Sequence, residues 1–176
     1  ALDTSGLVVS AAVVEDDRLI AETFLHYQKT HSQTLLPLMA DMLGQIETDV
    51  SRMDALALAV GPGSFTGLRI GVCTVKGLSM PRDIPVAPVP TLDALAYTCG
   101  LFDGLTCPVM DARRDQVYTA LYRTGRGEII EKLTPDAALP VAELCARLLE
   151  RDQPVLFTGD GVDVYMDKIH ECMGDM

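Results

Sequence analysis

The sequence has no tryptophan, an aromatic content of only 5%, no closely spaced pair of cysteines and a shortage of basic residues. Each shortage excludes something. Few aromatics means no stacking platform for single-stranded nucleic acid. With 14 Lys and Arg against 25 Asp and Glu, the formal net charge is −11, so long-range attraction to a nucleic-acid backbone is unfavourable. Any role in an RNA pathway therefore calls for a more basic partner to hold the RNA. The five cysteines, Cys73, Cys99, Cys107, Cys145 and Cys172, form no close pair and leave one over, as buried or free thiols in a reducing compartment would.

Long apolar runs are missing too. None approaches the roughly 20 residues a membrane-spanning helix needs, and the start lacks the basic patch and cleavage pattern of a secretory signal. A cytoplasmic protein with no membrane association is expected. His26, His31 and His170 make no His-x-x-x-His or His-Glu-x-x-His pattern, so no protein-bound metal is expected. Ser64 sits in Gly63-Ser64-Phe65, outside any Gly-x-Ser-x-Gly elbow, with no histidine placed by sequence to activate it. No catalytic residue is assigned.

What is present suffices for a core: 176 residues with 48% hydrophobic content support one domain or two small halves. Ala1 to Ser5 begins inside a strand, Gly6 to Val14 is β-branched and apolar, Glu15-Asp16-Asp17 is a turn, and Arg18 to His26 reads as a third strand. From Ser32 to Ile46 the period turns helical, with Leu35, Leu36, Leu38, Met39, Met42, Leu43 and Ile46 on one wide arc. Asp54 to Val60 is a strand, the segment through Met80 a helix, Ile84 to Val89 a strand, and Thr91 to Tyr97 a helix with Thr91 as candidate cap. Near residue 100 the pattern restarts. Strands are expected at 106–110, 116–122 and 128–133, a helix at 138–149, a strand at 154–157 and a last helix at 162–172. Two related halves, 1–100 and 101–176, follow, the second shorter than the first.

The strand at 54–60 runs into Gly61-Pro62-Gly63-Ser64-Phe65-Thr66-Gly67 and then a helix, a form that can offer backbone N–H groups to phosphate. Asp3 and Thr4 at the first strand end, with Gly61, Gly63, Ser64 and Gly67, are the candidate nucleotide-binding residues. A tight structural turn is the alternative. The loop lacks the lysine and hydroxyl of a Walker loop, and Gly67 falls one position late for a dinucleotide fingerprint. In the helix that follows, Leu68, Ile70, Val72, Cys73, Val75, Leu78 and Met80 point in nearly every direction. A helix apolar all round must be covered all round. Gly67, Gly71 and Gly77 would admit a neighbouring backbone. Together with the helix at 32–46 it could form an exposed apolar interface, or both could simply complete the internal core. Asp111, Arg113, Arg114 and Asp115 form a tight charged group that hairpin salt bridges would also explain.

Several segments together carry a resemblance: Leu2-Asp3-Thr4-Ser5, His31-Ser32-Gln33 with Leu35-Leu36-Pro37, GPGSFTGLRIG at 61–71, Lys76-Gly77-Leu78, Thr91-Leu92-Asp93-Ala94-Leu95, and Met110-Asp111-Ala112-Arg113-Arg114 with Val117-Tyr118. In order and over essentially the whole chain, they resemble the TsaB family, the bacterial subunit of the machinery that makes threonylcarbamoyladenosine in tRNA.

That resemblance implies an α/β, actin-like ATPase fold of two ribonuclease-H-like halves, each a mixed sheet flanked by helices. It implies a shortened, catalytically silent relative of TsaD that lacks the metal-binding histidines. Such a chain pairs with TsaD through first-half helices, stabilises it and lets the ATPase subunit TsaE engage. It would meet tRNA only through the complex and bind no cofactor of its own, with ATP or ADP a matter for the assembled complex, and would form a homodimer in isolation. On this basis Leu35, Leu36, Met39, Leu68, Val72 and Val75 are the expected partner-facing residues, and Asp111, Arg113 and Arg114 carry the second-half family motif. The family pattern continues into a further segment with a Pro-x-Tyr-x-Arg-like tail that does not follow Met176, so a truncated second half is expected. An ATPase or peptidase acting alone, and a purely homodimeric structural protein, are the competing readings.

Overall fold

Alternating apolar residues at the start of the chain build a three-stranded meander. In the computed structural model, which describes residues 1–26 and 30–174, β1 (Leu2–Asp3), β2 (Val9–Glu15) and β3 (Arg18–Leu25) pair antiparallel in sequence. Asp16 makes the turn between β2 and β3 in the left-handed region that short polar side chains tolerate (φ 51°). Helix α1 (His31–Gln45) follows, then β4 (Leu56–Ala59), α2 (Phe65–Ser79) and β5 (Val86–Val89). β4 joins β1 in parallel and β5 joins β4, giving the order β3-β2-β1-β4-β5. This is the strand order of a ribonuclease-H-like half. Its core is Leu2, Val9, Ala11 and Leu58 from the sheet, against Leu35, Met39, Met42 and Val75 from α1 and α2.

The second unit repeats the plan with α3 (Thr91–Thr98), β6 (Gly104–Asp111), β7 (Gln116–Thr119), β8 (Tyr122–Gly125), β9 (Glu128–Lys132), β10 (Ala137–Pro140), α4 (Val141–Leu149), β11 (Val155–Thr158) and α5 (Gly161–Met173). The register that pairs Asp111 with Val117 also pairs Gly104 with Thr124, so β7 and β8 are two pieces of one strand interrupted at Ala120 and Leu121. β9 and β10 flank those two pieces, and β11 runs parallel on the far side of β6. The second sheet thus follows the same order as the first four strands. Leu105, Cys107, Val109 and Val117 meet Leu144, Leu148, Tyr165 and Ile169 in its core.

Three expectations shift. Strand β10 occupies residues read as the start of a helix, since Pro140 carries no N–H and its extended backbone (ψ 141°) places it ahead of α4. The division between units falls between Pro90 and Thr91, not near residue 100. Helix α3 belongs with the second unit because Leu92 and Ala96, fully buried, pack with Met110, Ala120 and Tyr122. The second strand begins at Val9, leaving 4–8 as a loop.

A polar clamp reinforces α3. The Tyr122 hydroxyl and Lys132 Nζ each donate to Asp93 Oδ1 at 2.6 Å, and Lys132 also reaches Asp136 Oδ1 at 2.6 Å. Partial burial pushes the Asp93 carboxyl up, but the bonds from Lys132 and Tyr122 outweigh it and hold the group below its ordinary value. For Lys132, burial acts downward and is overcome by Asp136 and Asp93, so its ammonium lies above the ordinary lysine value. Burial, then Asp93, raises the Tyr122 phenol. The contribution of Asp93 is therefore complete above the ordinary aspartate value, about 3.9, and is lost as pH falls below it. Those of Tyr122 and Lys132 are complete below about pH 10 and are lost as pH rises beyond it. Tyr122→Phe is expected to cost about 1 kcal/mol at neutral pH, the net value of one hydrogen bond, and to make the alkaline decline shallower. Urea unfolding at pH 7 and pH 10.5 checks both.

Candidate functional site

Strand β4 delivers the chain into the glycine turn, and the turn closes on β1. Gly61 takes φ 113°, a conformation that side chains rarely adopt, and its peptide to Pro62 is cis. The Ser64 N–H donates to the Ser5 carbonyl at 2.7 Å, and Ser64 Oγ caps α2 by accepting from the Gly67 N–H at 3.2 Å. In return the Thr4 hydroxyl donates to the Gly67 carbonyl at 2.8 Å, while Asp3 Oδ1 accepts from the Ser5 N–H at 2.7 Å. His31 Nε2 lies 2.9 Å from the Gly6 carbonyl, tying the start of α1 to the same loop.

Among the candidate nucleotide residues, Thr4 is fully buried with its hydroxyl engaged, and the N–H groups of Ser64 and Gly67 already have internal partners. A Cβ on Gly63 would strike the Ser5 carbonyl, one on Gly67 the Thr4 carbonyl, and one on Gly71 the Thr4 hydroxyl. At these three glycines the turn and α2 pass directly against Thr4 and Ser5, the residues that follow β1. Asp3 remains half-buried at the strand end. Gly77, grouped with Gly67 and Gly71 by sequence, instead faces open space.

The six expected partner-facing residues divide. Leu35 (1% exposed), Met39 (7%) and Val75 (1%) lie in the first unit's own core and present nothing to a partner, correcting their assignment to a surface. Leu68 and Val72 are half-buried, and Leu36 is open at 52%. The wide apolar arcs of α1 and α2 thus serve mainly the sheet. What α2 and its C-cap Met80 show outward is a stripe of Phe65, Arg69, Cys73, Lys76 and Met80, with Phe65 and Met80 73% and 78% exposed. The Arg69 guanidinium lies 5.3 Å from the centre of the Phe65 ring. The sequence places Phe65 in the glycine loop and Arg69 in the loop and helix, with neither assigned to a partner face; their spacing along one side of the helix was the available signal. Beside them α1 exposes Leu36, Ala40 and Gly44, again at helical spacing.

In the second unit Asp111 Oδ1 accepts from the Arg113 N–H at 2.8 Å and from the Tyr165 hydroxyl at 2.9 Å, and Lys168 donates to Asp115 at 2.6 Å. Arg113, Arg114 and Asp115 all take positive φ (68°, 55° and 60°), so the tip is a left-handed run of three side-chain-bearing residues. Asp160 Oδ1 accepts from the Asp111 N–H at 3.3 Å, and burial keeps its carboxyl above the usual range. The motif therefore bolts the β6–β7 hairpin to α5, with the Arg113 and Arg114 side chains left outside.

A groove of about 870 Å³ between β3 and α1, lined by Ala21, Leu25, Thr34 and Leu38 among others, lies apart from the turn. Among the described residues no group of three or more His, Cys, Asp or Glu could hold a metal ion, and no helix is long and apolar enough to cross a membrane.

A family model described as TsaD, tRNA N6-adenosine threonylcarbamoyltransferase, matches residues 19–172. The chain is 37% identical to the tRNA threonylcarbamoyladenosine biosynthesis protein TsaB of Bacillus subtilis, over 99% of its own length and 76% of that protein's. It is 30% identical to the Escherichia coli protein of the same name, over 95% and 73% of the two. Among solved structures, YeaZ from Pseudomonas aeruginosa superposes with a TM-score of 0.71 at 33% identity, covering 79% of this chain and 65% of that one. The chain therefore spans about three quarters of these curated relatives and just under two thirds of the solved one. With the two mixed α/β units, these matches place the chain in the TsaB family, non-catalytic relatives of TsaD.

Proposed function

We propose that this chain is the accessory partner of a TsaD-type subunit in threonylcarbamoylation of tRNA adenosine, holding that subunit in its working form and carrying out none of the chemistry itself. The observation that carries this reading is the contrast between the turn and the helix it launches. In the turn the Ser64 and Gly67 N–H groups are bonded internally, whereas α2, its C-cap Met80 and α1 leave Phe65, Met80 and Leu36 uncovered on the first unit. Apolar groups left exposed along adjacent helices are the groups a protein partner would cover. In this reading tRNA and the TsaE-type ATPase are met through the assembled complex, ATP or ADP acts there, and pairing of two copies of this chain is what the face does when the partner is absent.

Sedimentation of the purified chain with the TsaD-type subunit of the same organism tests the association. One complex at equal stoichiometry, displacing any self-pair, is the expected result. Two independent boundaries at every ratio would sink the proposal.

A further inference from the structure

The outward stripe of α2 is apolar at its ends and cationic in its middle. From residue 55 to residue 82 the sequence holds no Asp or Glu, yet it holds Arg69, Lys76 and Arg82, in a chain whose net charge is −11. Among the described residues the ion pairs engage Arg113, Lys132, Arg147 and Lys168; Arg69 and Lys76 have none. The neighbouring helix α1 carries one acid, Asp41, and it lines the groove on the β3 side. Two exposed cations flanked by Phe65 and Met80 therefore stand on this face without a counter-charge.

The pattern also penalises a self-pair without forbidding it. An antiparallel crossing of two copies of α2 at Val72 and Cys73 sets Phe65 of each copy level with Met80 of the other, a favourable apolar match. It also sets Arg69 of each level with Lys76 of the other. With about 1.5 Å of rise per residue, those four cations lie within a span of roughly 10 Å, close enough that physiological salt does not fully screen them. Like charges brought together at an interface select against that pairing, and opposite charges select for another.

We infer that the α2 stripe is a charge-selective docking surface whose occupant is a protein surface of apolar groups flanked by carboxylates, and that Arg69 and Lys76 favour this occupant over a second copy of the chain. The inference rests on the accessory-partner reading above and names the chemistry of the partner's face. Carboxylates placed opposite Arg69 and Lys76 convert the repulsion of a self-pair into attraction, while the apolar ends fill the contact on either side.

Sedimentation velocity and titration calorimetry with the TsaD-type subunit, at about 0.05 and 0.5 M NaCl, test it for the wild-type chain, Arg69→Glu with Lys76→Glu, and the milder Arg69→Gln with Lys76→Gln. Both side chains are exposed, so unchanged circular dichroism and urea midpoints are expected for all three proteins. The expected results are a wild-type partner affinity that falls with salt, self-association that strengthens with salt, a loss of at least about tenfold for the charge reversal and a smaller one for the Gln pair. Partner binding by the wild type that is indifferent to salt and to both variants would overturn the charge inference and leave the accessory reading standing. Absence of partner binding by the wild type at either salt would overturn the accessory reading, and this inference with it.

Discussion

Gly67→Val is expected to unfold the first unit, with a loss of more than about 3 kcal/mol from a stability that for domains of this size is roughly 5–15 kcal/mol. The Cβ would fall on the Thr4 carbonyl, which is main chain one residue beyond β1, and β1 is held to β2 on one side and to β4 on the other. That carbonyl cannot retreat without pulling on β1. The same substitution displaces the Gly67 carbonyl that accepts from the Thr4 hydroxyl, leaving a fully buried hydroxyl without its partner. Gly77→Ala is the internal control, since nothing lies within 4 Å of the added methyl. It is expected to stabilise by roughly 0.5–1 kcal/mol, because glycine in a helix interior loses more backbone freedom on folding. Urea midpoints of the two variants, followed by circular dichroism, should move in opposite directions.

Leu35→Asp and Leu36→Asp, neighbours in one helix, are expected to fail in different ways. Leu35 is 1% exposed in the core shared by β2, β4 and α2, and an aspartate there must be buried without a partner or protonated. A cost above about 4 kcal/mol follows, enough to unfold the unit. Leu36 is 52% exposed, so its aspartate stays in water and the fold should change by less than about 0.5 kcal/mol. On the accessory-partner reading Leu36→Asp should instead weaken association with the TsaD-type subunit by at least about tenfold. Denaturation curves together with a binding titration separate the two failures. Equal stability of both variants would contradict the burial pattern of α1.

Much of the fold was legible because two periods alternate cleanly. The runs read as strands at 6–14 and 18–26 contain most of β2 and all of β3, although β2 starts only at Val9, and the helical runs in α1 and α2 and the apolar DALALAV segment around β4 appear where their periodicity puts them. β10 was not legible: Ala137, Ala138 and Leu139 suit a helix, and only pairing with β7 makes them a strand. Nor could sequence assign α3, since Leu92 and Ala96 are apolar on whichever unit they meet. The interface was half legible for a related reason. An apolar arc records that a helix is covered but not by what, so it left interface and core both open, and the partner-facing assignment of Leu35, Met39 and Val75, which rested on the resemblance, gives way to the sheet that lies against them. Gly67 and Gly71 held the missing information. They mark the side of α2 that touches β1, and the opposite side, with Phe65 and Arg69, is the surface.

The most direct test is omission from a reconstituted reaction containing the TsaD-type subunit, the TsaE-type ATPase, the adenylate-forming enzyme, tRNA, ATP, threonine and bicarbonate. Threonylcarbamoyladenosine in tRNA is quantified by mass spectrometry with and without this chain. Modification that depends on the chain, while the chain alone turns over neither ATP nor peptide, is the predicted result. Modification at the same rate in its absence would contradict the account.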